Sequence, residues 1–502
     1  LGSGEGGRYL EGPWYSEAVL ALGLLLAAVA VTRSANDADD LSLPGWYFVG
    51  ALWWGFAATA VAAVPGLEGI PAALQMRFAA TVLTGLVPIA AGLGALYFLI
   101  GRLVPDAAFH PRLGVIGFWS LGFAWLWLSP GTLQNGPTPG WFETMPVLFA
   151  MGLVVAMLAI LADLAYATRG KWDALRGSRP LQMALLGVLP FVLLVGQLLF
   201  HALRGPSGVV DLTDWEMALD VLTFLGAATL WLGALAVHAL SGERGWSKPL
   251  GAVHLSTFAT GLVVALVGFW ISGLQQGYAW VGGVNAETIS VGDTFRNSVV
   301  PLEAMRATAL VGLALMAIGL LGHLAAVAVS FLGASRTDDV VEMPGAGSGA
   351  MNIVQGALVL FTIAGLSVFA LPAIEAGSEP SELAAATREH PDASPQARGR
   401  EIYAAEGCWQ CHTQQVRAIV TDVGLGTVSQ PGDYVYDPDD LLGARRIGPD
   451  LAHVASRGWD FESLMDHLAD PRATRSWSVM PSYSHLDTAD LEALAAYLAS
   501  LE

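Results

Sequence analysis

Ten apolar segments, each about as long as the roughly 20 helical residues that cross a bilayer, fill the first three quarters of this chain. The composition agrees, because 54% of the 502 residues are hydrophobic and only 13% are charged, about half the charged share of a soluble domain. The sequence therefore predicts an all-α fold, a polytopic membrane helix bundle. The expected spans lie at about 15–32, 46–64, 78–101, 111–129, 143–167, 181–203, 216–239, 250–275, 303–332 and 350–372.

Basic residues in the short loops predict the orientation of the bundle. The loops of one side carry ten Lys and Arg residues, and those of the other side carry four. Because the basic side is cytoplasmic, we expect the N-terminus outside, and ten spans return the C-terminal tail to the outside. The chain begins at Leu1 without an evident classical signal peptide, so we expect that an upstream piece was removed or not recorded.

The composition changes to polar and acidic from about residue 375. Residues 375–502 hold 21 Asp and Glu against nine Arg and no Lys, which accounts for −12 of the net charge of −19. One interpretation is a solvated acidic surface. The other is a face that steers a basic redox partner, such as a soluble periplasmic cytochrome. The negative sign excludes nucleic acid as a partner.

The segment Cys408-Trp409-Gln410-Cys411-His412 contains the only two cysteines of the chain. A Cys-x-x-Cys-His motif is typical of covalent heme c attachment, with each thiol on one vinyl group and the histidine on the iron. The alternatives are a disulfide across a short loop or half of a zinc site. A structural zinc site usually has four Cys or His ligands, and no second Cys/His pair is present. Heme c is attached outside the cytoplasm in bacteria, which agrees with the orientation predicted from the loops.

The tail reads as a linker at 375–399 followed by a small domain at 400–502. Residues 399–403 open a short helix that runs into the Cys-x-x-Cys-His motif. The last helix is expected to start near Asp487 and Thr488, a plausible N-cap, with Leu491, Leu494, Leu498 and Leu501 at helical spacing. Two terminal helices with a heme between them describe a class I cytochrome c.

The heme iron needs a sixth ligand, for which the tail offers Met465, Met480, His453, His467 and His485. Met480 is favoured because it precedes Pro481 in a loop just before the last helix, whereas Met465 lies in a probable helix. Gly448, Pro449 and Leu451 fit a loop on the proximal side, and Tyr483 is a further expected heme contact. Arg417, Arg445, Arg446 and Arg457 are candidates to pair the heme propionates, with simple surface charge as the alternative.

Residues 350–502 resemble the mono-heme cytochrome c subunit of the cbb-type (C-family) heme–copper oxygen reductases. The matching elements are one anchoring span, an insertion near 415–447 and several motifs: Gly407-Cys408-Trp409-Gln410-Cys411-His412-Thr413-Gln414, Arg446-Ile447-Gly448-Pro449-Asp450-Leu451, Leu468-Ala469-Asp470-Pro471-Arg472 and Met480-Pro481-Ser482-Tyr483. The first 335 residues are similar to the catalytic subunit of that family, with nine of its twelve spans and the first three absent. The carrying segments are 110–119, 212–215 and 270–280. On this division 1–335 is the bundle and 336–374 holds a tenth helix that anchors the cytochrome.

The resemblance implies histidines for heme b and copper, and this sequence departs from it at those positions. The copper histidines fall at Thr81, Gly131 and Thr132, the heme-iron histidines at Leu219 and Val221, and the cross-linked tyrosine at Phe191. The spans hold only His201 and His238 near span ends, and His254 and His323, which read as solitary. We therefore predict no heme b and no copper. Intramembrane acids are few, and the role of Asp220 stays open between a cavity and another subunit.

These observations favour a non-catalytic electron-transfer subunit of a membrane respiratory complex related to cbb-type oxidase. Its partners would be other membrane subunits, including a true heme–copper catalytic subunit, and it would lie in the bacterial inner membrane with the heme on the periplasmic side. The alternatives are a structural or assembly scaffold and a membrane cytochrome c subunit of a different respiratory oxidoreductase. An active oxidase subunit in its own right is the least favoured.

Overall fold

The computed structural model describes residues 14–36, 40–241, 248–285, 291–333, 343–376, 379–437 and 441–502. Within these ranges the regular structure is helical, apart from an isolated bridge between Ser42 and Gly345. The bundle of the described residues has ten long helices: α1 (Trp14–Ala35), α2 (Leu43–Ala62), α3 (Gly69–Leu103), α4 (Arg112–Leu133), α5 (Phe142–Thr168), α6 (Arg179–Ala202), α7 (Asp214–Leu240), α8 (Gly251–Gly283), α9 (Thr294–Val329) and α10 (Ala350–Glu375). Nine of them, all except α2, are long and apolar enough to cross a membrane.

The exception, α2, corresponds to the span expected at 46–64. Of the ten expected spans, nine are therefore helices that are long and apolar enough to cross a membrane. The helix has 20 residues and no charged side chain. Ser42, before α2, pairs with Gly345, just before α10. At the other end, the N–H of Gly69 donates to the carbonyl of Asp437 in the tail, at 2.8 Å. Since α2 joins the two ends of the bundle, its position supports a tenth crossing, which stays a prediction.

Several bundle segments depart from regular α-helix, and three of them lie close together. Val82–Leu86 in α3 and Val221–Ala228 in α7 are π-helical, and Ser129–Leu133 at the end of α4 is a 3-10 turn. Such π-helical turns often mark functional positions, because they change which side chains face a neighbour. All three segments border one cavity, which is described below.

The C-terminal part of the tail is built on three helices, α11 (Pro395–Ala405), α12 (Phe461–Ala469) and α13 (Thr488–Ala499). The last helix begins where the sequence predicts, and the carboxylate of Asp487 accepts from the N–H of Asp490 at 2.8 Å. Helices α11 and α13 cross at Gly399, where an added Cβ would collide with the carbonyl of Ala493. This crossing is the pair of packed terminal helices expected of a small cytochrome.

The segment 375–399, expected as a linker, is packed against the tail domain instead. It contains the short helix Glu382–Thr387, and the N–H of Ser381 donates to the carbonyl of Gly432 at 3.1 Å. Arg388 is only 4% exposed and lies 3.0 Å from the carboxylate of Asp437. A buried ion pair fixes its backbone, so this segment is part of the folded domain. The composition of the segment suggested a linker. It could not show the ion pair of Arg388, because Asp437 is distant in sequence.

The tail domain docks onto one end of the bundle through the segment 415–447. The N–H of Arg446 donates to the carbonyl of Leu212, and the side chain of Gln276 donates to the carbonyl of Arg446, both at 2.8 Å. Arg77 of α3 donates to the carbonyl of Gly443 at 3.1 Å. These bundle residues lie in or beside loops that were expected on the same side as the tail, so the contacts agree with the predicted topology.

Candidate functional site

A cavity of about 570 Å³ opens beside the Cys-x-x-Cys-His loop, within the range of roughly 300–1,000 Å³ for sites that hold small molecules and cofactors. Nine of the eleven site residues expected from the sequence line it: Cys408, Cys411, His412, Gly448, Pro449, Leu451, Arg457, Met480 and Tyr483. The two thiols are not joined in a disulfide. Burial raises the pKa of Cys408 to about 12 and also raises that of Cys411.

A hydrogen bond to the backbone carbonyl of Pro449 orients the ring of His412. The Nδ1 atom of the ring lies 2.7 Å from the carbonyl oxygen of Pro449, to which it donates. Burial lowers the pKa of His412, which favours the neutral ring. Donation from Nδ1 leaves Nε2 with its lone pair, the form in which imidazole binds a metal. Gly448 is needed here because an added Cβ would overlap the imidazole ring.

The structure reduces five candidates for the sixth ligand to two. Met480 and His467 line the cavity, whereas Met465, His453 and His485 do not. Met465 packs against the core of the tail domain, as expected for a helical methionine. Both ring nitrogens of His453 face carbonyl oxygens, and His485 pairs with Glu406 at 3.1 Å.

Of the two remaining side chains, His467 is engaged elsewhere. Its Nδ1 contacts the hydroxyl of Thr474, and its ring packs on Trp459 with 5.0 Å between the ring centres. Met480 lies in the loop before α13, where its N–H donates to the hydroxyl of Ser478 at 3.2 Å. Met480 packs against the core of the tail domain and also lines the cavity, where its thioether is the remaining candidate ligand.

Arg417 and Arg446, expected to contact the heme, do not line the cavity. Arg446 lies 2.6 Å from Asp422, and Arg417 lies 3.0 Å from the same carboxylate. Burial would raise the pKa of Asp422, but the two guanidinium charges outweigh this effect and hold it well below its usual range. The two arginines therefore compensate a buried acid. Arg445, also a candidate, contacts Met217 of the bundle.

The cavity also contains side chains that the sequence reasoning missed. Arg475 lines it, with its guanidinium 5.2 Å from the ring centre of Trp459 and 5.8 Å from that of Trp477. From the bundle, Phe295 and Val299 complete the wall. The cluster of Trp and Arg at 475–477, just before Met480, is the only sequence signal that could have pointed to this part of the site.

A second cavity, of about 200 Å³, lies inside the bundle. Its wall includes most of the positions where the resemblance places metal ligands, namely Thr81, Gly131, Thr132 and Leu219. Asp220, left open between a cavity and another subunit, lines this cavity, and so does Trp409 of the heme motif. Most positions at which this sequence departs from the family pattern thus lie around one cavity.

Two histidines of the bundle that were expected to be solitary lie next to each other. His254 and His323, expected to be solitary, are neighbours with 4.9 Å between their ring centres. Nδ1 of His254 faces the carbonyl of Gly319 at 2.8 Å. Within the described ranges, no group of three or more His, Cys, Asp or Glu side chains is arranged to hold a metal ion.

Fold, site and comparisons together place the chain among multi-pass membrane proteins related to cytochrome c oxidase subunits. Residues 348–500 match the family described as "Cytochrome C oxidase, mono-heme subunit/FixO". In fold, the chain is similar to a heme–copper terminal oxidase solved as a dimer by cryo-electron microscopy. That similarity has a TM-score of 0.51 and 14% sequence identity, over 68% of this chain and 66% of the other.

Curated relatives extend the same likeness. The chain is 23% identical over 302 residues to a "Cytochrome c oxidase subunit 1 homolog" of Agrobacterium tumefaciens, covering 56% of this chain and 55% of the relative. It is 20% identical to "Cytochrome c oxidase subunit 1" of Rhodobacter capsulatus, covering 56% of each. A bacteroid homolog from Bradyrhizobium diazoefficiens is 24% identical over 38% of this chain and 35% of the relative. The chain therefore spans about half, or less, of the length of these relatives.

Proposed function

We propose that this protein is an electron-transfer subunit of a membrane respiratory complex, and that its redox centre is one covalent heme c in the tail domain. Cys408 and Cys411 would bind the porphyrin, and His412 and Met480 would bind the iron. The observation that carries the proposal is the orientation of His412 by Pro449 at 2.7 Å on the wall that also holds both thiols and Met480.

Heme c supplies a one-electron centre, and a thioether ligand opposite histidine raises its reduction potential. The protein side chains have the remaining tasks. Leu451 and Tyr483 cover the cavity with apolar surface that excludes water. Arg457 and Arg475 supply the positive charge that heme propionates need in such a site. Because Arg417 and Arg446 are committed to Asp422, they are not available for the propionates.

We propose that the bundle itself holds no heme b and no copper. These groups need imidazole ligands, and Thr81, Gly131, Thr132, Leu219 and Val221 stand where the resemblance implies them. The neighbours His254 and His323 supply two imidazoles, which is fewer than the three histidines of a heme–copper copper site, and their ring centres are only 4.9 Å apart, which leaves no room for a porphyrin between them. The bundle would then act as a rigid base that positions the heme domain beside partner subunits in the bacterial inner membrane.

The acidic tail supports a basic periplasmic cytochrome as the redox partner. Its net charge of −12 over residues 375–502 attracts a cation, and attraction between opposite patches raises association rates. The domain is held to the bundle by Leu212, Gln276 and Arg77. A docked heme domain exchanges electrons at one fixed position, unlike a domain on a flexible tether.

The experiment is native purification with identification of the co-purifying subunits, followed by rapid mixing with a reduced basic cytochrome. The heme c is expected to be reduced, with a rate that falls steeply as ionic strength rises. Cys408→Ala/Cys411→Ala is the matched control and should show no such absorbance change. A heme that donors never reduce while the complex turns over would favour the scaffold alternative.

A further inference from the structure

A continuous chain of buried ion pairs connects the bundle cavity to the heme domain. His201, which lines the cavity, lies 2.5 Å from Asp211, and Asp211 lies 3.8 Å from Arg417. The chain continues through Arg417–Asp422 at 3.0 Å, Asp422–Arg446 at 2.6 Å and Arg446–Asp450 at 3.4 Å. No side chain in it is more than 13% exposed. We refer to these six residues as the charge chain.

The charge chain has an odd number of fixed charges. Within the charge chain three carboxylates face two guanidinium groups, and Arg457 beside Asp450 adds a third cation, so the remaining variable is whether His201 and Asp211 hold a proton. Burial raises the pKa of Asp211, although His201 and Arg417 lower it. A buried charge without compensation is costly, and therefore the protonation of the pair depends on the charges around it.

The far end of the charge chain lies at the proximal side of the heme site. The carboxylate of Asp450 accepts from the hydroxyl of Thr413 at 2.6 Å. Pro449, directly before Asp450, accepts from the ring of His412, and Arg457 donates to the carbonyl of Asp450. The charge chain thus begins beside the heme site, where the charge on the iron would change. It ends at His201 and Asp211, which can bind a proton.

We propose that His201 and Asp211 form a proton-binding site whose occupancy depends on the oxidation state of heme c. When the heme iron accepts one electron from the donor, one proton from water enters the pair, and both leave again on oxidation. The proposal rests on the function proposed above. Arg77, Glu216 and Asp220 are the other charged residues that line the cavity with His201, and its volume of about 200 Å³ is large enough to hold the water that delivers the proton.

The physical reason is electrostatic. Reduction makes the heme more negative by one unit, and a nearby group in a poorly screened interior then binds its proton more tightly. By linkage, the same coupling makes the heme potential fall as pH rises. Charges that are exposed to water at the same distance would contribute far less.

The test is a spectroscopic redox titration of the purified full chain between pH 5 and 9. The variants are His201→Gln and Asp211→Asn, and the matched control is Arg204→Gln, which removes an exposed charge of the same loop that contacts Glu143 and Thr144. We expect the potential of the wild type and of the control to fall with pH, and the slope to be reduced in both other variants.

Heme propionates also titrate and can make the potential depend on pH. The test is therefore the difference in slope between the wild type and the two variants. Equal slopes in all four proteins would overturn the proposal, because the propionates alone would then explain them. If neither variant retains heme, the wild type is tested by adding reductant in unbuffered solution with a pH indicator, where proton uptake is expected and its absence would refute the inference. Absence of heme c from the wild type would instead refute the proposed function.

Discussion

Arg446 and Asp422 form an ion pair of 2.6 Å with side chains that are 3% and 0% exposed, at the point where the tail domain meets the bundle. Arg417 shares the same carboxylate, and the backbone of Arg446 bonds to Leu212 and Gln276. One buried acid therefore organises the docking surface of the heme domain. The residues that were expected at the heme are responsible for holding the domain in place.

Replacement of Arg446 by Met should destabilise the tail domain by about 3 kcal/mol, since it leaves much of the Asp422 charge uncompensated in the interior. Urea unfolding followed by the heme absorbance measures the effect. Arg398→Ala is the control, because Arg398 is 54% exposed and its pair with Asp490 should contribute about 1 kcal/mol or less. Equal stability of the two variants would contradict the assigned role.

Replacement of Met480 by His should lower the reduction potential of the heme, since imidazole stabilises the ferrous iron less than a thioether does. A redox titration of the two proteins measures the shift. Met465→Leu, a change within α12 on the side that packs against the core, should leave the potential unchanged. An unchanged potential in Met480→His, together with a shift in a His467→Gln variant, would assign the sixth ligand to His467 instead.

Replacement of Gly448 by Ala should reduce the heme content of the purified protein several-fold, because the new methyl group overlaps the ring of His412. The absorbance ratio of heme to protein reports the content. Gly140→Ala provides the comparison, since an added Cβ there meets no atom within 4 Å. Full heme content in Gly448→Ala would show that His412 does not need the observed position.

The tail domain should lose stability as pH falls from about 6.5 towards 4, partly because of His390. Burial and the charges of Arg400 and Arg388 lower the pKa of His390 to about 4, against about 6.5 in an unfolded chain. In that window the unfolded chain binds the extra proton, so the free energy of unfolding decreases with acidification. His390→Gln should flatten this part of a melting-temperature profile against pH, and an unchanged profile would exclude His390 as a cause.

Sequence reasoning located the parts of the site that depend on local order along the chain. The spacing of Cys408, Cys411 and His412, the loop of Met480 before a helix and the N-cap at Asp487 are all short-range patterns. These patterns are sufficient to predict the two terminal helices of the tail domain and nine residues of the cavity wall. The helix bundle could also be predicted from the sequence, because the thickness of the bilayer sets the length of an apolar helix that spans it.

The remainder depends on contacts between residues that are distant in sequence. Nothing local distinguishes Arg446, which pairs with Asp422 across 24 residues of sequence, from Arg475, which lines the cavity. The contact of His254 with His323 needs two neighbouring helices in register. The sequence predicts α2 as a span, but only its end contacts show that it joins both faces of the bundle.

The cofactor content of the intact protein tests the central claim most directly. We would purify the full chain from a host that matures cytochromes c, record a pyridine-hemochrome spectrum and measure iron and copper per polypeptide. The account predicts one heme c per chain, with iron in the same amount and no copper. A heme b signal or stoichiometric copper bound by this polypeptide would contradict it.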